Sequence, residues 1–170
     1  HYNYTDTRNI TLDNSAPAIG FASGTSLSQY NYSRTWIFVN ASINETYEAN
    51  VTFYLYNSSG LVNNSTLSTP YSTSQRSINF TNLIEGIYYY NISVMDLSKN
   101  QNQTETRNIT LDTTPPVIIS TNPSNRSYVT SSSTNLNINT NEIAVCHYNQ
   151  SSGQDFTSSM TSFNISNGTA

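Results

Sequence analysis

The chain has 170 residues, 10 acidic and 6 basic side chains and a net charge of −4, so 9% of it is charged against about 25% in ordinary soluble domains. With no basic cluster or stripe, nucleic-acid binding has no electrostatic basis, and no apolar run approaches the roughly 20 residues that span a bilayer. Neutral Ser, Thr and Asn carry the solubility, while 13 Tyr, 6 Phe and scattered aliphatic residues supply the core that a disordered chain lacks. His1 comes first without a charged-then-apolar leader, so the chain reads as mature or excised sequence.

The first predicted strand is also the chain's clearest internal repeat. RNITLD at residues 8–13 recurs at residues 107–112, an offset of 99. Thr7 through Asp13 match Thr106 through Asp112, Pro17 falls on Pro116 and Ile19 on Ile118. A period near one small domain predicts tandem modules. The next strands are expected near Ala18–Ala22, at Trp36–Ile43 and at Val51–Tyr56, the last after an apolar alternation through Val51, Phe53 and Leu55. A fourth region covers Leu67–Thr81, with Ile78 and Phe80 on one face. Ile87–Met95 carries Tyr88, Tyr90, Ile92 and Val94 inward, and Thr104–Leu111 closes the module. Beyond it, Val117–Ser120, Leu136–Thr140 and Ile143–Tyr148 begin another set. The period is two throughout, which marks strands with one face on a core and one in water. Turns such as NSSG (57–60) separate them. The fold class is all-β, a tandem of immunoglobulin-like β-sandwich modules. Tyr88, just after Gly86-Ile87, stands where a tyrosine corner would bond back to the preceding turn.

The run EGIYYYNISVMDLSKNQNQTETRNITLDTTPPVI (85–118) resembles the end of one bacterial- or archaeal-type Ig-like repeat and the start of the next. That family opens its penultimate strand with G-x-Y, continues through a V-x-D-x-x-G-N-like turn, and ends on a polar strand with a D-x-x-x-P hinge. Val94, Asp96 and Asn100 match the turn, while Ser98-Lys99 replaces the usual Ala-Gly. On this reading residues 1–13 are the C-terminal strand of a preceding or neighbouring subunit's module. Residues 14–112 are a complete sandwich, and residues 113–170 the N-terminal part of a further one. Two arrangements follow: a window of a longer tandem array, or a subunit whose first strand completes a neighbour by strand addition.

Asparagine is used in an ordered way. N-x-S/T begins at Asn3, Asn9, Asn31, Asn40, Asn44, Asn50, Asn57, Asn63, Asn64, Asn79, Asn91, Asn102, Asn108, Asn125, Asn149, Asn164 and Asn167. These are 17 of 25 asparagines, whereas 50 Ser and Thr in 170 residues would give about 7 by chance. Alternation alone favours an apolar middle residue but would serve equally with Asn-x-Asn. In a strand with that residue inward, Asn and Ser/Thr both point outward, where a glycan costs no packing. Asn9, Asn40, Asn50, Asn79, Asn91 and Asn108 read this way. Dense N-glycosylation is the expectation, with the adjacent Asn63 and Asn64 competing; outward Tyr54, Tyr56 and Tyr89 either stack on sugars or neighbouring subunits or are isolated surface tyrosines.

Catalysis has little support. His1 and His147 are the only histidines, and strand neighbours Cys146 and His147 point to opposite faces, which defeats a nucleophile–base pair. The Lys–Asn cross-links of some Ig-like surface proteins are unexpected, because the single lysine, Lys99, falls in a turn. For calcium, Asp96 of the turn with Asp112 or Asp13 of a hinge is a thin ligand set. The resemblance implies that Cys146 has a disulfide partner outside this segment. Covalent N-glycans, with calcium as an option, are thus the non-protein groups expected; no cofactor, nucleic acid or membrane span is. The implied setting is extracellular or cell-surface: a structural filament, surface layer or stalk built by self-association or by continuation into further Ig-like modules. The competing readings are an adhesin that binds a glycan or cell partner, and a spacer in a secreted hydrolase.

Overall fold

A computed structural model of the chain describes residues 1–68, 76–131, 134–148 and 161–165, with residues 147–148 and 161–165 described by backbone alone. The chain divides into two compact units, His1–Thr113 and Thr114–Ala170. Every regular element described is a strand. Among the described residues no helix is long and apolar enough to cross a membrane.

The first unit holds β1 (Ala18–Phe21), β2 (Tyr30–Tyr32), β3 (Ile37–Asn44), β4 (Glu48–Asn57), β5 (Gly60–Ser68), β6 (Ser77–Phe80), β7 (Gly86–Asp96), β8 (Gln101–Gln103) and β9 (Arg107–Leu111). They form two sheets, one ordered β1-β3-β6 and the other β2-β9-β7-β4-β5 with β8 paired to β7. The core between them is what the alternation dictates. Ile37, Val39 and Ala41 of β3 and Phe80 of β6 come from one sheet. Val51, Phe53, Leu55, Tyr88, Tyr90, Ile92, Val94, Ile109 and Leu111 come from the other. Each is one of every two residues on its strand, so the intervening residues form the outer faces. The result is an all-β, immunoglobulin-like sandwich.

Three polar devices secure it. The Tyr88 hydroxyl donates to the Ile84 carbonyl at 3.0 Å, the corner expected from the sequence. The Tyr90 hydroxyl donates to the Ser26 carbonyl, tying β7 to the segment after β1. Phe21 meets the Tyr90 ring edge-on at 5.7 Å, and the Arg107 guanidinium lies 4.0 Å over Phe21. Finally, Arg76, just before β6, clamps Glu48 of β4 through Nη2–Oε2 at 2.7 Å and Nε–Oε1 at 3.3 Å, joining the two sheets. The Glu48 side chain is 4% exposed, so this contact lies almost entirely out of water on the β4 side.

Three strands of the first unit were not anticipated: β5, β2 and the short β8 that follows the Asp96 turn and pairs with β7. β5 forms a hairpin with β4 through the turn Asn57–Gly60, where Gly60 takes φ 119°, a conformation that costs a Cβ-bearing residue dearly. β2 pairs in parallel with β9, Tyr30 to Ile109 and Tyr32 to Leu111. The expected fourth region is replaced by β5 and β6, with residues 69–75 outside the described residues.

Within the second unit, β10 (Ile118–Asn122) pairs with β11 (Asn137–Thr140), and β12 (Ala144–Tyr148) with β13 (Thr161–Ile165), all antiparallel. The three strands anticipated here agree with β10, β11 and β12. Many apolar side chains of this unit face solvent, among them Val117, Ile119, Ile143 and Val145.

Candidate functional site

The duplicated hexamer adopts two different environments. The second copy is β9: antiparallel to β7, parallel to β2, with Ile109 and Leu111 each 1% exposed. The first copy belongs to no sheet, and its Ile10 and Leu12 are 83% and 93% exposed. The sequence reading assigns residues 1–13 to a preceding or neighbouring subunit's module; within this chain the residues have strand chemistry and no strand partner. Nothing local distinguishes the copies. What β9 has is a neighbour on each side and a core beneath it, and pairing rather than propensity decides whether such a segment is a strand. Residues 13–17 are nevertheless anchored. The Asp13 carbonyl accepts from Asn100 Nδ2 at 3.2 Å, the Pro17 carbonyl accepts from Asn102 Nδ2 at 2.9 Å, and Pro17 is buried. Residues 8–12 thus project from a fixed point.

The sequon asparagines spread over both outer faces. On the three-stranded sheet, Asn44 and Asn79 are exposed, while Asn40 is half-buried with Nδ2 donating to the Ser23 carbonyl at 3.1 Å. On the six-stranded sheet, Asn63 and Asn64 of β5 are exposed, and Asn50, Asn57, Asn91 and Asn108 are half-buried. Asn31 of β2 is exposed on this same sheet, opposite Thr110 of β9, and Asn3, Asn9 and Asn125 are exposed outside these faces. Asn102 has both ends of its amide engaged, Nδ2 on Pro17 and Oδ1 accepting from the Gln103 N–H at 2.8 Å. Among the described sequon amides it is the one whose loss to a sugar would most disturb the fold. Asn149 and Asn167 lie outside the described residues, and Asn164 is described by its backbone in β13.

Asp96 and Asp112 are not brought together. Gly86 at the start of β7 pairs with Leu111, so Asp112 lies at that end, whereas Asp96 is the last residue of the strand. Eleven residues of strand put roughly 30 Å between them, and within this unit the two carboxylates cannot share one ion. Asp96 is fully buried, and its oxygens accept from the Asn100 N–H at 2.9 Å and Asn100 Nδ2 at 2.7 Å. It closes the turn before β8. Asp13, the nearer hinge residue, uses its carboxylate to accept from the Ser15 N–H at 3.0 Å. Among the described residues no three of His, Cys, Asp and Glu gather as a metal site would require.

Cys146 is buried on β12, opposite Phe163 of β13, and is a free thiol in this chain of one cysteine. The side chain of His147 lies outside the described residues. Burial raises the Tyr90 hydroxyl to about 12, with Arg107 pulling the other way, so it is a donor to Ser26 at any physiological pH.

Comparison with known proteins adds little to this geometry. No family model matches the chain, and no curated protein does. Among solved structures, an engineered protein is similar over 56% of this chain and 20% of its own, at 11% identity and a TM-score of 0.43. Dimeric latent PorU from Porphyromonas gingivalis is similar over 61% of this chain and 10% of its own, at 19% identity and a TM-score of 0.44. The chain thus spans between a tenth and a fifth of the proteins it resembles, and the likenesses are too shallow to carry any argument about activity.

Proposed function

We propose that the chain is part of an extracellular structural glycoprotein, a fibre, surface layer or stalk. In this reading Ig-like sandwiches are joined end to end by strand sharing and coated with N-glycans. The observation that carries it is the contrast between the two hexamers: one fills a core position in its sandwich, and an identical one stands exposed at residues 8–12. An exposed edge-competent strand with two unburied aliphatic side chains is a liability unless a partner covers it. The chemistry that covers it best is the chemistry that covers its duplicate: a sandwich whose corresponding position is open. Strand addition of this kind gains both main-chain hydrogen bonds and side-chain pockets. The same segment does this whether the acceptor is a module of one continuous chain or belongs to a second copy. The exposed apolar residues of the second unit, Val117, Ile119, Ile143 and Val145, mark it as a surface of the complementary kind.

The glycan coat is supported by the sequon excess and by the outward position of Asn44, Asn64 and Asn79 on their strands. It accounts for the scarcity of charge, since sugars hydrate a surface and screen sheet edges. The test is electron microscopy of native material with site-resolved mass spectrometry of the glycopeptides. β7, of eleven residues, makes a module of roughly 35–40 Å. Uniform fibres with that axial repeat or a small multiple, carrying sugar at several sequons, are the expected result. Isolated particles or short flexible beads would overturn the filament reading and favour an adhesin or a spacer.

A further inference from the structure

The outer face of the six-stranded sheet sets tyrosines and sequon asparagines side by side. Facing away from the core, β4 presents Asn50, Thr52, Tyr54 and Tyr56. Opposite them β5 places Ser68, Thr66, Asn64 and Leu61 in turn, and β7 places Met95, Ser93, Asn91 and Tyr89. β9 continues the last row with Asn108 opposite Tyr89. No charged side chain interrupts these rows. The Tyr54 and Tyr56 rings stack, with centroids 6.1 Å apart and planes inclined by 17°. Tyr89, opposite Tyr56, is 39% exposed. The three tyrosines therefore form one aromatic surface, with Asn64 on its β5 side and Asn108 on its β9 side. Side chains directly opposed on neighbouring strands have Cβ atoms about 4.5–5.5 Å apart, so each asparagine is one residue's width from a tyrosine ring. The Oδ1 of Asn108 is turned to the Ser28 hydroxyl at 3.4 Å, away from β7, which leaves Nδ2 for the other side. Asn91 differs: its Nδ2 leans to Thr106 Oγ1 at 3.1 Å, away from Tyr54.

We infer that N-glycans carried on Asn64 and Asn108 fold back over the surface formed by Tyr54, Tyr56 and Tyr89, so that on this face the sugars are a packed layer of the structure. The inference rests on the reading of the chain as an N-glycoprotein. A pyranose ring has an apolar C–H face whose weakly positive hydrogens suit the negative face of an aromatic ring, and a charge-free sheet face is otherwise an invitation to association. Each side of the patch carries its own attachment point, and the residues between are those that stack.

The experiment uses the full chain made in an N-glycosylating host, with occupancy read by mass spectrometry. Proton spectra of the unmutated glycoprotein are expected to show ring-current upfield shifts for sugars at Asn64 and Asn108 and none for a sugar at Asn79, on the opposite sheet. Tyr54→Ser is then compared with and without Asn64→Gln, and Tyr89→Ser with and without Asn108→Gln. Each tyrosine loss is expected to lower the Tm by about 4 °C more when its sugar is present than when it is absent. Occupied sites with additive mutations and no upfield shift would overturn the packed layer and leave the glycan coat standing. Empty sites at Asn64 and Asn108 would overturn the inference, and empty sequons throughout would remove the glycan reading with it.

Discussion

Replacing Ile10 and Leu12 together by serine tests the assembly strand against its own duplicate. In β9 the matching Ile109 and Leu111 are 1% exposed, whereas Ile10 and Leu12 are 83% and 93% exposed. Full burial of an aliphatic side chain of this size is worth about 1.5–3 kcal/mol. Carrying both into the environment of their duplicates therefore gains about 3–6 kcal/mol, roughly a hundred- to ten-thousand-fold in an association constant. The same pair contributes nothing to the first unit as it stands, so its thermal midpoint should move by no more than about 0.5 kcal/mol allows. Sedimentation velocity over a concentration series, with fibre counting by negative stain, reads the association; calorimetry reads the unit. The paired control, Ile109→Ser with Leu111→Ser, strips two core side chains and should abolish folding of the unit. If the Ile10/Leu12 variant assembles with unchanged concentration dependence, residues 8–12 are not the joining strand and the reasoning fails.

Tyr90→Phe removes the hydroxyl that donates to Ser26 and should cost about 1–2 kcal/mol in chemical denaturation. Below pH 10 the tyrosine is neutral folded or unfolded. Between 10 and about 12 only the unfolded chain ionises, so stability falls as pH rises, by roughly 2–3 kcal/mol. The phenylalanine variant lacks that share of the alkaline loss, and an identical alkaline profile would refute the assignment. Arg76→Ala takes the guanidinium from Glu48, whose side chain is 4% exposed, and should cost about 3 kcal/mol, the low end for breaking a buried pair because Arg76 is itself partly in water. Urea unfolding with a shift below about 1 kcal/mol would show the pair to be a surface one. Asn100→Ala strips Asp96 of a 2.7 Å bond and frees the Asp13 carbonyl. Faster amide exchange at residues 13–17 is expected, and unchanged exchange there would refute the anchoring role.

The core was legible because burial imposes a period of two. The inward apolar residues of β3, β4 and β7 could be named from alternation, whereas the buried Glu48 and Asp96 at the strand ends could not. β5 was not legible for a complementary reason: it is an edge strand exposed along most of its length, with a bulge that sets Tyr56 against Leu61, so LVNNSTL shows no alternation to read. β2 is three residues long and owes its existence to a parallel partner 79 positions away, Tyr30 against Ile109. The repeat was visible, and because the strands that should precede residues 1–13 are absent from the sequence, so was the first copy's lack of a partner within this chain. Asp96 of the turn was paired in sequence with Asp112 or Asp13 of a hinge as a thin ligand set, and the register of β7 against β9 sets Asp96 and Asp112 at opposite ends of the first unit.

The short parallel pair of β2 and β9 has a mechanical consequence. The first unit is entered through the segment before β1 and left through β9. The bonds flanking the pair run from the Gln29 N–H to the Asn108 carbonyl at 2.6 Å and from the Asp112 N–H to the Tyr32 carbonyl at 3.0 Å. Once β1 has come away from β3, tension applied between residues 13 and 112 draws two parallel strands past each other along their own axes. The bonds between them are then loaded in shear and share the force, whereas an antiparallel hairpin pulled at its open end peels one bond at a time. Single-molecule pulling should record one abrupt rupture for this unit, and a gradual opening at low force would contradict the geometry. In a fibre, such a unit would stay closed under a steady pull and yield only all at once.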